Sequence, residues 1–382
     1  SRRRKIAGLF RGLKLKIDKI QLFHVAMPLI YPWRTAYGSD EVIESVLVRM
    51  WSGEDYGWGE TTPLAKPAYS PEYTAGVYRM IRDVLAPQVV DKDVPTGEAL
   101  HRQFPWVKGN YFAKGGLDTA WWDLHARKLG QPLWKLIGGK GNVIEVGADC
   151  GVQDSIDMLL ANIEQSIADG FKRVKLKYCP GWDLDMIAAV RSAFPTQVFH
   201  IDCNSGYSLD DLDMFKKLDQ YNLAMIEQPL MHDDLVDHAD LQRQIETPVC
   251  LDESITSTAK TRRALKIGAC RWVNIKPSRV GGITQALEIH RICEDAGVPC
   301  WTGGMLESAV GASICQALAT LPGMKYPSDV FPSSRFYTED LSQPEITLSG
   351  PSEMTLSDQP GIGAEPVPER LERQTVAKAD LA

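Results

Sequence analysis

The sequence predicts an α/β protein, a (β/α)8-type barrel modified to (β/α)7β, with an N-terminal α+β capping domain. Three observations support this prediction. Short apolar strands alternate with amphipathic helical stretches from about residue 141 onward. Charged residues recur at the ends of successive strands in that region. A region with a different pattern, two long alternating stretches followed by helices, precedes it.

The pattern divides the chain into four segments. Residues 1–13 form a basic extension, which we interpret as a frayed terminus rather than a transit peptide or a membrane-surface segment. Residues 14–140 form the capping domain and residues 141–345 the barrel. Residues 346–382 are rich in proline, and we expect this C-terminal extension to pack back on the capping domain.

Within the capping domain, the stretches LKIDKIQLFHVAMPL and EVIESVLVRMW predict strands. The segment IYPWRTAYGSD between them predicts a loop, which we expect to fold over the barrel mouth. Helical periodicity follows over Pro71–Leu85 and Leu117–Ile137, and Gly138 and Gly139 close the second helix.

Seven short apolar segments predict the strands of a parallel barrel, and an eighth strand is expected near Tyr326. The seven segments are IEVGADCG, RVKLKY, QVFHIDCN, LAMIEQP, TPVCLDES, RWVNIKP and VPCWTGG.

Composition excludes several classes of function. With 42 Lys and Arg against 49 Asp and Glu, the net charge of -7 offers no basic surface for nucleic acid. No apolar run reaches the length of about 20 residues that spans a bilayer, so no membrane partner is expected. The eight cysteines form no Cys-x-x-Cys motif, which indicates a reducing, cytoplasmic location. We expect a small-molecule carboxylate as the partner, and the pattern is compatible with a homo-oligomer.

Charged residues stand at equivalent strand ends, at intervals of 25, 25, 25 and 24 residues. Because one βα unit repeats at this interval, these residues should share the rim where parallel barrels build their active sites. They are Lys177, Asp202, Glu227, Asp252 and Lys276.

The three carboxylates among these residues predict a site for a hard cation, and Mg²⁺ is the natural choice. The alternative is that Asp202, Glu227 and Asp252 cap the helices that follow them. Glu253 could replace Asp252 as a ligand, although the even spacing favours Asp252. Asn204 should face the same side as Asp202 and orient a ligand or a bound water.

Lys175 and Lys177 lie two apart on one strand and project to the same face. Two neighbouring ammonium groups disfavour each other's charge, so we expect the pKa of at least one of them to fall. Lys177 is then a candidate general base, with Lys175 as its charge partner and an anchor for substrate. Lys276 should approach from the other side. The alternative, that all three are surface charges, is weakened by the apolar strand around the first two. We expect His200 to be a core residue.

Several of these motifs resemble the enolase superfamily, specifically its muconate-lactonizing subgroup. They are KLK, DCN, EQP, LDES, NIKPSRVGG and the helical segment AWWDLHARKLGQPLWKLIGG. The segments GGMLESAVG and SSRFYTEDL look most like the o-succinylbenzoate synthase and N-succinylamino acid racemase branch of that subgroup. The resemblance covers about residues 14–341.

The resemblance implies Mg²⁺, with Mn²⁺ as a substitute, on Asp202, Glu227 and Asp252. It implies that Lys177 and Lys276 act on opposite faces of the substrate and that an enediolate forms after removal of a proton α to a carboxylate. The implied reaction is dehydration of 2-succinyl-6-hydroxy-2,4-cyclohexadiene-1-carboxylate in menaquinone synthesis. Racemisation of N-succinylamino acids or epimerisation of dipeptides would need the same residues. The alternative from a different class of function is a non-catalytic barrel that binds Mg²⁺ and an anion.

The residues that line the substrate pocket must determine which of these reactions occurs. The resemblance implies substrate contacts from Gly304, Met305 and Glu307. Arg34, in the segment expected to cover the barrel, could bind a succinyl carboxylate or be an exposed loop arginine. Asp149 departs from the pattern, because relatives carry a small polar residue there. It would repel a substrate carboxylate unless paired, for example with Lys175.

Overall fold

The structure is a computed structural model that describes residues 15–382. The predicted basic extension, residues 1–13, therefore lies outside the described residues.

An antiparallel sheet of four strands forms the first layer of the molecule, in the order β15–β1–β2–β3. Its strands are β1 (Lys19–Thr35), β2 (Gly38–Ser52), β3 (Asp55–Thr61) and β15 (Thr375–Leu381). Strand β15 comes from the C-terminal extension and pairs antiparallel with β1, with Ile20 opposite Leu381 and Phe23 opposite Lys378. The C-terminal extension thus supplies an edge strand to the capping sheet.

Strands β1 and β2 run through the segment 30–40, where the sequence predicts a loop. Trp33 pairs with Asp40 and Thr35 with Gly38, so the two strands extend to a tight turn at residues 36–37. The prediction failed because the tyrosine, tryptophan and proline of this segment mark a register shift between Pro28 and Trp33 rather than the end of the strand. We call residues 29–42 the hairpin arm.

Four helices follow β3 in the chain, and the first and third of them pack against this sheet. They are α1 (Thr74–Met80), α2 (Gly97–His101), α3 (Tyr111–Lys128) and α4 (Leu133–Leu136), and α1 continues as a π turn over Ile81–Leu85 and a 3₁₀ turn over Ala86–Gln88. Helix α3 packs against β3 at very short range, since a Cβ atom added to Gly57 would lie 2.1 Å from the backbone nitrogen of Leu124. Glycine at this position is what permits the close approach.

The single helix predicted over Leu117–Ile137 is two helices in the structure. Helix α3 begins earlier, at Tyr111, and ends where Gly130 adopts a left-handed φ of 62°. The N–H of Gln131 donates to the carbonyl of Ala126 at 3.0 Å, which satisfies a carbonyl left free by the helix end. The apolar periodicity continues past this break, and for that reason the sequence alone does not show it.

Seven parallel strands form the barrel sheet, in the order β11–β10–β9–β8–β7–β6–β5. They are β5 (Ala148–Cys150), β6 (Arg173–Lys177), β7 (Val198–Asp202), β8 (Ile226–Glu227), β9 (Val249–Leu251), β10 (Trp272–Ile275) and β11 (Cys300–Thr302). Every predicted barrel segment contributes one of them.

The segment 324–329 occupies the place of the predicted eighth strand. It makes isolated bridges from Met324 to Cys300 on one side and from Ser328 to Val146 on the other. The sheet is thereby linked across its two edges through a segment that is only partly regular.

Helices follow the barrel strands, and short strands join the C-terminal extension to the rest. The helices are α5 (Ile156–Ala168), α6 (Leu184–Ala193), α7 (Leu212–Leu218), α8 (Val236–Gln242), α9 (Thr258–Ile267), α10 (Pro277–Val280), α11 (Ile283–Ala296), α12 (Ala309–Ala319) and α13 (Pro368–Gln374). The remaining short strands are β4 (Val143–Glu145), β12 (Ser342–Gln343), β13 (Glu353–Thr355) and β14 (Glu365–Pro366), with pairs β4–β13 and β12–β14.

No helix within residues 15–382 combines the length and the apolar composition needed to cross a membrane. All eight cysteines are free, and all but Cys179 are buried.

Helix α3 also contacts the barrel, through α11. The indole Nε1–H of Trp122 donates to Thr284 Oγ1 at 2.9 Å, and the Asp118 carboxylate accepts the backbone N–H of Thr284 at 3.0 Å. Both Trp122 and Thr284 are buried. This contact fixes the capping domain to the barrel on one side.

We expect Thr284→Val to lower the free energy of unfolding by about 1–3 kcal/mol, because it leaves the Trp122 N–H buried without an acceptor. Denaturant unfolding of the purified protein measures the change. The double variant Trp122→Phe, Thr284→Val removes both partners and serves as the control. If the double variant loses as much free energy of unfolding as Trp122→Phe and Thr284→Val lose together as single variants, the result would contradict the assigned hydrogen bond.

Candidate active site

The five predicted rim residues lie together at the C-terminal ends of adjacent barrel strands. Lys177, Asp202 and Glu227 are the last residues of β6, β7 and β8, while Asp252 and Lys276 directly follow β9 and β10. The strands are in register, with Lys177 opposite Asp202 and Asp202 opposite Glu227. The regular spacing along the chain therefore becomes a row of side chains around one rim.

A cavity opens above this rim and contains both lysines of the row. Lys177 and Lys276 line it together with Trp33 and Tyr37 of the hairpin arm and Met305 of the loop after β11. We call it the inner cavity. Lys177 Nζ lies 5.8 Å from the centre of the Trp33 ring, within the range of a cation–π contact. The hairpin arm thus covers the barrel mouth, as expected for this segment.

Lys177 faces two carboxylates. Its ammonium donates to Asp202 Oδ2 at 2.8 Å, and it lies 3.7 Å from Asp149 Oδ2. Burial on its own would lower the pKa of Lys177, but Asp149 and Asp202 raise it above the ordinary value.

Lys175 is the most strongly paired cation of the site. Its Nζ lies 2.9 Å from Asp202, 2.8 Å from Glu227 and 3.0 Å from Asp329. Burial opposes its charge, yet these carboxylates hold its pKa well above the ordinary value. The prediction that one pKa of the lysine pair falls is wrong for this arrangement, because the carboxylates around the pair outweigh the repulsion between the lysines.

Lys276 occupies the other side of the inner cavity. Its Nζ lies 3.0 Å from Asp252 Oδ2, 3.5 Å from Met305 Sδ and 4.8 Å from the centre of the Tyr69 ring. Arg279 pairs with the other oxygen of Asp252, and its guanidinium donates to the Tyr69 hydroxyl at 3.0 Å. Asp252 is therefore held between Lys276 and Arg279.

Glu227 is held from the barrel interior. Asn274 Nδ2 donates to Glu227 Oε1 at 2.7 Å, and His200 Nε2 lies 3.2 Å from Glu227 Oε2. The other ring nitrogen of His200 lies 3.1 Å from the Tyr326 hydroxyl. Burial lowers the pKa of His200, which is fully enclosed, so the structure places it in the core as expected.

Asn204 and Glu253 add two oxygen atoms next to Asp202. The Asn204 amide donates to both Asp202 and Glu253, each at 3.2 Å. Asn204 Oδ1 and Glu253 Oε2 are buried without a hydrogen-bond partner. Burial and the nearby charge of Asp202 raise the pKa of Glu253 to about 7. Partnerless oxygens beside a row of carboxylates are the donor set that a hard cation prefers.

In the structure, the carboxylates of Asp202, Glu227 and Asp252 face lysine side chains rather than each other. Over residues 15–382, no three Asp, Glu, His or Cys side chains converge closely enough to hold a metal ion in the arrangement seen. The donor chemistry nevertheless fits Mg²⁺, because the residues that converge here offer only oxygen atoms and two of those oxygens have no partner.

A second cavity adjoins the inner one. Trp33 and Asp149 line both, and the second also contains Arg34, Asp154 and Arg335. We call it the outer cavity. Arg34 pairs with the exposed carboxylate of Asp154 and lies outside the inner cavity.

The predicted contacts in the loop after β11 divide into two groups. Gly304 and Met305 line the inner cavity, whereas Glu307 lies behind it. Glu307 accepts the backbone N–H of Met305 at 2.7 Å, and burial raises its pKa to about 7. It therefore shapes the loop rather than facing the inner cavity.

Sequence reasoning missed three residues of the site. Asp329 pairs with Lys175 and also with Arg173, which it approaches to 2.7 Å. The Tyr69 hydroxyl donates to Asp252 at 3.1 Å, and Arg279 forms an ion pair with the same carboxylate. Arg279 stands three residues after Lys276 in KPSR, a spacing that could have suggested it.

Comparison with known proteins identifies the class of this barrel. Residues 17–138 match the N-terminal domain of the mandelate racemase and muconate lactonizing enzyme family, and residues 158–370 match the enolase C-terminal domain-like family. The chain belongs to the enolase superfamily, a superfamily of enzymes whose members generally bind Mg²⁺. The resemblance inferred from the motifs and the predicted capped barrel are both confirmed.

Relatives at about 40% identity have the names o-succinylbenzoate synthase and N-succinylamino acid racemase. The o-succinylbenzoate synthase of Geobacillus stearothermophilus is 40% identical over 364 residues, 95% of this chain and 97% of that protein. The N-succinylamino acid racemase of Thermus thermophilus is 40% identical over 349 residues, 91% of this chain and 94% of that protein. A crystal structure of an enolase superfamily member from Listeria innocua has a TM-score of 0.92 at 34% identity, covering 96% of this chain and 99% of that one.

Proposed function

We propose that this chain removes the proton α to a substrate carboxylate with Lys177 as the base, and that it acts as an o-succinylbenzoate synthase in menaquinone synthesis. The observation that carries the proposal is the inner cavity itself. It presents Lys177 and Lys276 to one space, beside a row of three buried carboxylates. Relatives with the name o-succinylbenzoate synthase at 40% identity support the choice of reaction.

In the proposed reaction, Lys177 acts in its neutral amine form: its Nζ takes the C1 proton of 2-succinyl-6-hydroxy-2,4-cyclohexadiene-1-carboxylate and becomes an ammonium, and an enediolate forms. The C6–O bond then breaks, and the departing hydroxide takes the proton back from Lys177 on the same face, so that water leaves. Lys276 faces the ring from the other side and stabilises its negative charge. Trp33 and Tyr37 cover the inner cavity and exclude solvent during these steps.

Asp202, Glu227 and Asp252 would hold Mg²⁺, with Asn204 and Glu253 as further oxygen groups beside them. When bound, the cation would stabilise the charge that develops on the substrate carboxylate. Lys175 keeps Asp202 and Glu227 in place from below, since its ammonium contacts both.

The second candidate function is racemisation of N-succinylamino acids or epimerisation of dipeptides. The observation that favours it is the placement of Lys276, which reaches the inner cavity as directly as Lys177 does. Two such lysines could each exchange a proton with the same carbon, so that the configuration inverts.

A spectrophotometric assay of the purified protein with Mg²⁺ and the cyclohexadiene substrate tests the first candidate. We expect loss of the diene absorbance at an enzyme-like rate. No turnover above background would overturn the dehydration proposal and would leave the racemase or epimerase reaction to be assayed.

Metal binding has its own expected result. Mg²⁺ at about 100 times its Kd should stabilise the protein by about 2.7 kcal/mol and raise the Tm by about 3 °C. Glu227→Gln should abolish this shift, because it removes one ligand charge while it keeps the shape of the side chain. Differential scanning calorimetry with and without Mg²⁺ measures both. Glu164→Gln, on the exposed face of α5, is the matched control and should keep the shift. A full shift in Glu227→Gln would contradict the assignment of the ligands.

A further inference from the structure

Asp149 has an unsatisfied carboxylate at the junction of the two cavities. It lies in β5, in register with Lys175 of β6, and is 4% exposed. Its Oδ1 is buried without a hydrogen-bond partner. A buried carboxylate oxygen without a donor costs about 1–3 kcal/mol or more, so such an atom is expected to gain a donor in the working complex.

The neighbouring cations do not satisfy this oxygen. Lys177 lies 3.7 Å from the other oxygen of Asp149, and its hydrogen bond goes to Asp202. Lys175 is surrounded by three other carboxylates. Arg335 donates to the backbone carbonyl of Asp149 at 2.5 Å rather than to its side chain. Among the described residues, therefore, nothing donates to Oδ1, and a bound substrate can do so.

The position of Asp149 indicates where the substrate donor would lie. Lys177 must reach the α-carbon, and the Asp149 carboxylate is within 3.7 Å of its Nζ. One of the groups bonded directly to the α-carbon would therefore come close to Asp149, and Oδ1 needs that group to be a hydrogen-bond donor. In an N-acylamino acid, that group is the amide N–H.

The outer cavity adjoins Asp149 and Trp33, so an acyl chain on such an N–H group would have space beside it. It contains Arg335, whose Nε is buried without a partner. A guanidinium N–H at this place suits an acyl group that ends in a carboxylate, such as succinyl.

We infer that Asp149 accepts a hydrogen bond from an N–H group next to the reacting carbon, and that it makes the site favour N-acylamino acids over analogues that carry only an acceptor there. The inference rests on the α-proton abstraction by Lys177 proposed above and concerns the second candidate substrate class. Asp149 is a specificity-determining residue in this account, because a substrate that places only an acceptor there would leave two oxygen atoms facing each other.

Two substrates that differ in a single group test the inference. One is an N-succinylamino acid, and the other is the O-succinyl ester of the 2-hydroxy acid with the same side chain, in which oxygen replaces the N–H. Exchange of the α-proton in D₂O, followed by NMR, reports proton abstraction for both. We expect the wild-type protein to exchange the amide at least about 10²-fold faster than the ester.

Asp149→Ala should reduce this ratio by about 10²-fold. Any change that the substitution causes in Lys177 affects both substrates and cancels in the ratio. The different intrinsic acidities of the two α-protons cancel when the ratio of the variant is divided by that of the wild type. Asp149→Asn, which keeps an acceptor oxygen in the same shape, should retain part of the preference and guards against a misfolded alanine variant. Asp157→Asn is the matched control, because Asp157 is exposed on α5 and makes the same charge change.

The outcomes are distinguishable. Exchange of neither substrate would overturn the proposed proton abstraction itself. Equal exchange of both by the wild-type protein, as expected if water alone satisfies Asp149, would overturn the role of Asp149 and leave the proposed abstraction standing. The same holds if Asp149→Ala keeps the full preference for the amide.

Discussion

Lys177→Ala is expected to lower kcat about 10³-fold for whichever α-proton substrate the protein turns over. Lys177 brings its amine into the inner cavity beside Asp149 and Asp202. Lys175 cannot replace it, because its ammonium is shared among three carboxylates. Steady-state kinetics at saturating substrate measure the loss in kcat.

Lys172→Ala is the matched control for this variant. Lys172 precedes the same strand, but it is exposed and pairs only with Glu145. It should keep the wild-type kcat, and both variants should keep the Mg²⁺-dependent rise in Tm. A Lys177→Ala protein that turns over substrate at the wild-type rate would exclude Lys177 as the base and would support the reading of a non-catalytic binding barrel.

Lys276→Ala is expected to lower the rate of racemisation by about 10³-fold or more. It should leave exchange of the α-proton intact at one enantiomer. The reason is the arrangement of the cavity, in which each lysine serves one face of the substrate. With Lys276 removed, Lys177 can still take and return a proton on its own side. NMR of each enantiomer of an N-succinylamino acid in D₂O measures exchange and inversion separately.

Lys177→Ala should show the mirror result, with exchange only at the opposite enantiomer. Lys266→Ala, an exposed lysine of α9, controls for the loss of a positive charge. Loss of exchange at both enantiomers in Lys276→Ala would contradict the division of faces, and would favour a role for Lys276 in charge stabilisation alone, as the dehydration proposal has it.

The row of rim residues could be predicted from sequence because the length of the βα repeat in this part of the barrel is nearly uniform. From Lys177 to Lys276, each unit occupies 24 or 25 residues, so equal intervals translate into equivalent positions. The register of β6, β7 and β8 in the structure agrees with that reasoning.

The residues that sequence reasoning missed come from places where this regularity ends. Asp329 ends a segment that forms only isolated bridges, so no strand pattern marks it. Tyr69 reaches Asp252 from the capping domain, 183 positions away in the chain, and no local pattern reports such a contact.

The pKa prediction for the lysine pair failed for a related reason. Sequence places Lys175 and Lys177 on one face of a strand, but the net electrostatic effect depends on every charge nearby. Asp149 and Asp329 come from β5 and from the segment that closes the barrel, and each pairs with one of these lysines. A prediction made from one strand could not include them.

The pairing of β15 with β1 makes the capping domain discontinuous in sequence, and this bears on how the chain folds during synthesis. The β1–β2 hairpin leaves the ribosome early, but its neighbour on the outer edge is encoded about 360 positions later, with Ile20 opposite Leu381. Until that strand arrives, the edge of β1 carries unpaired backbone groups that another chain could bind. The outer edge of the capping sheet is therefore complete only after residue 381 has been synthesised.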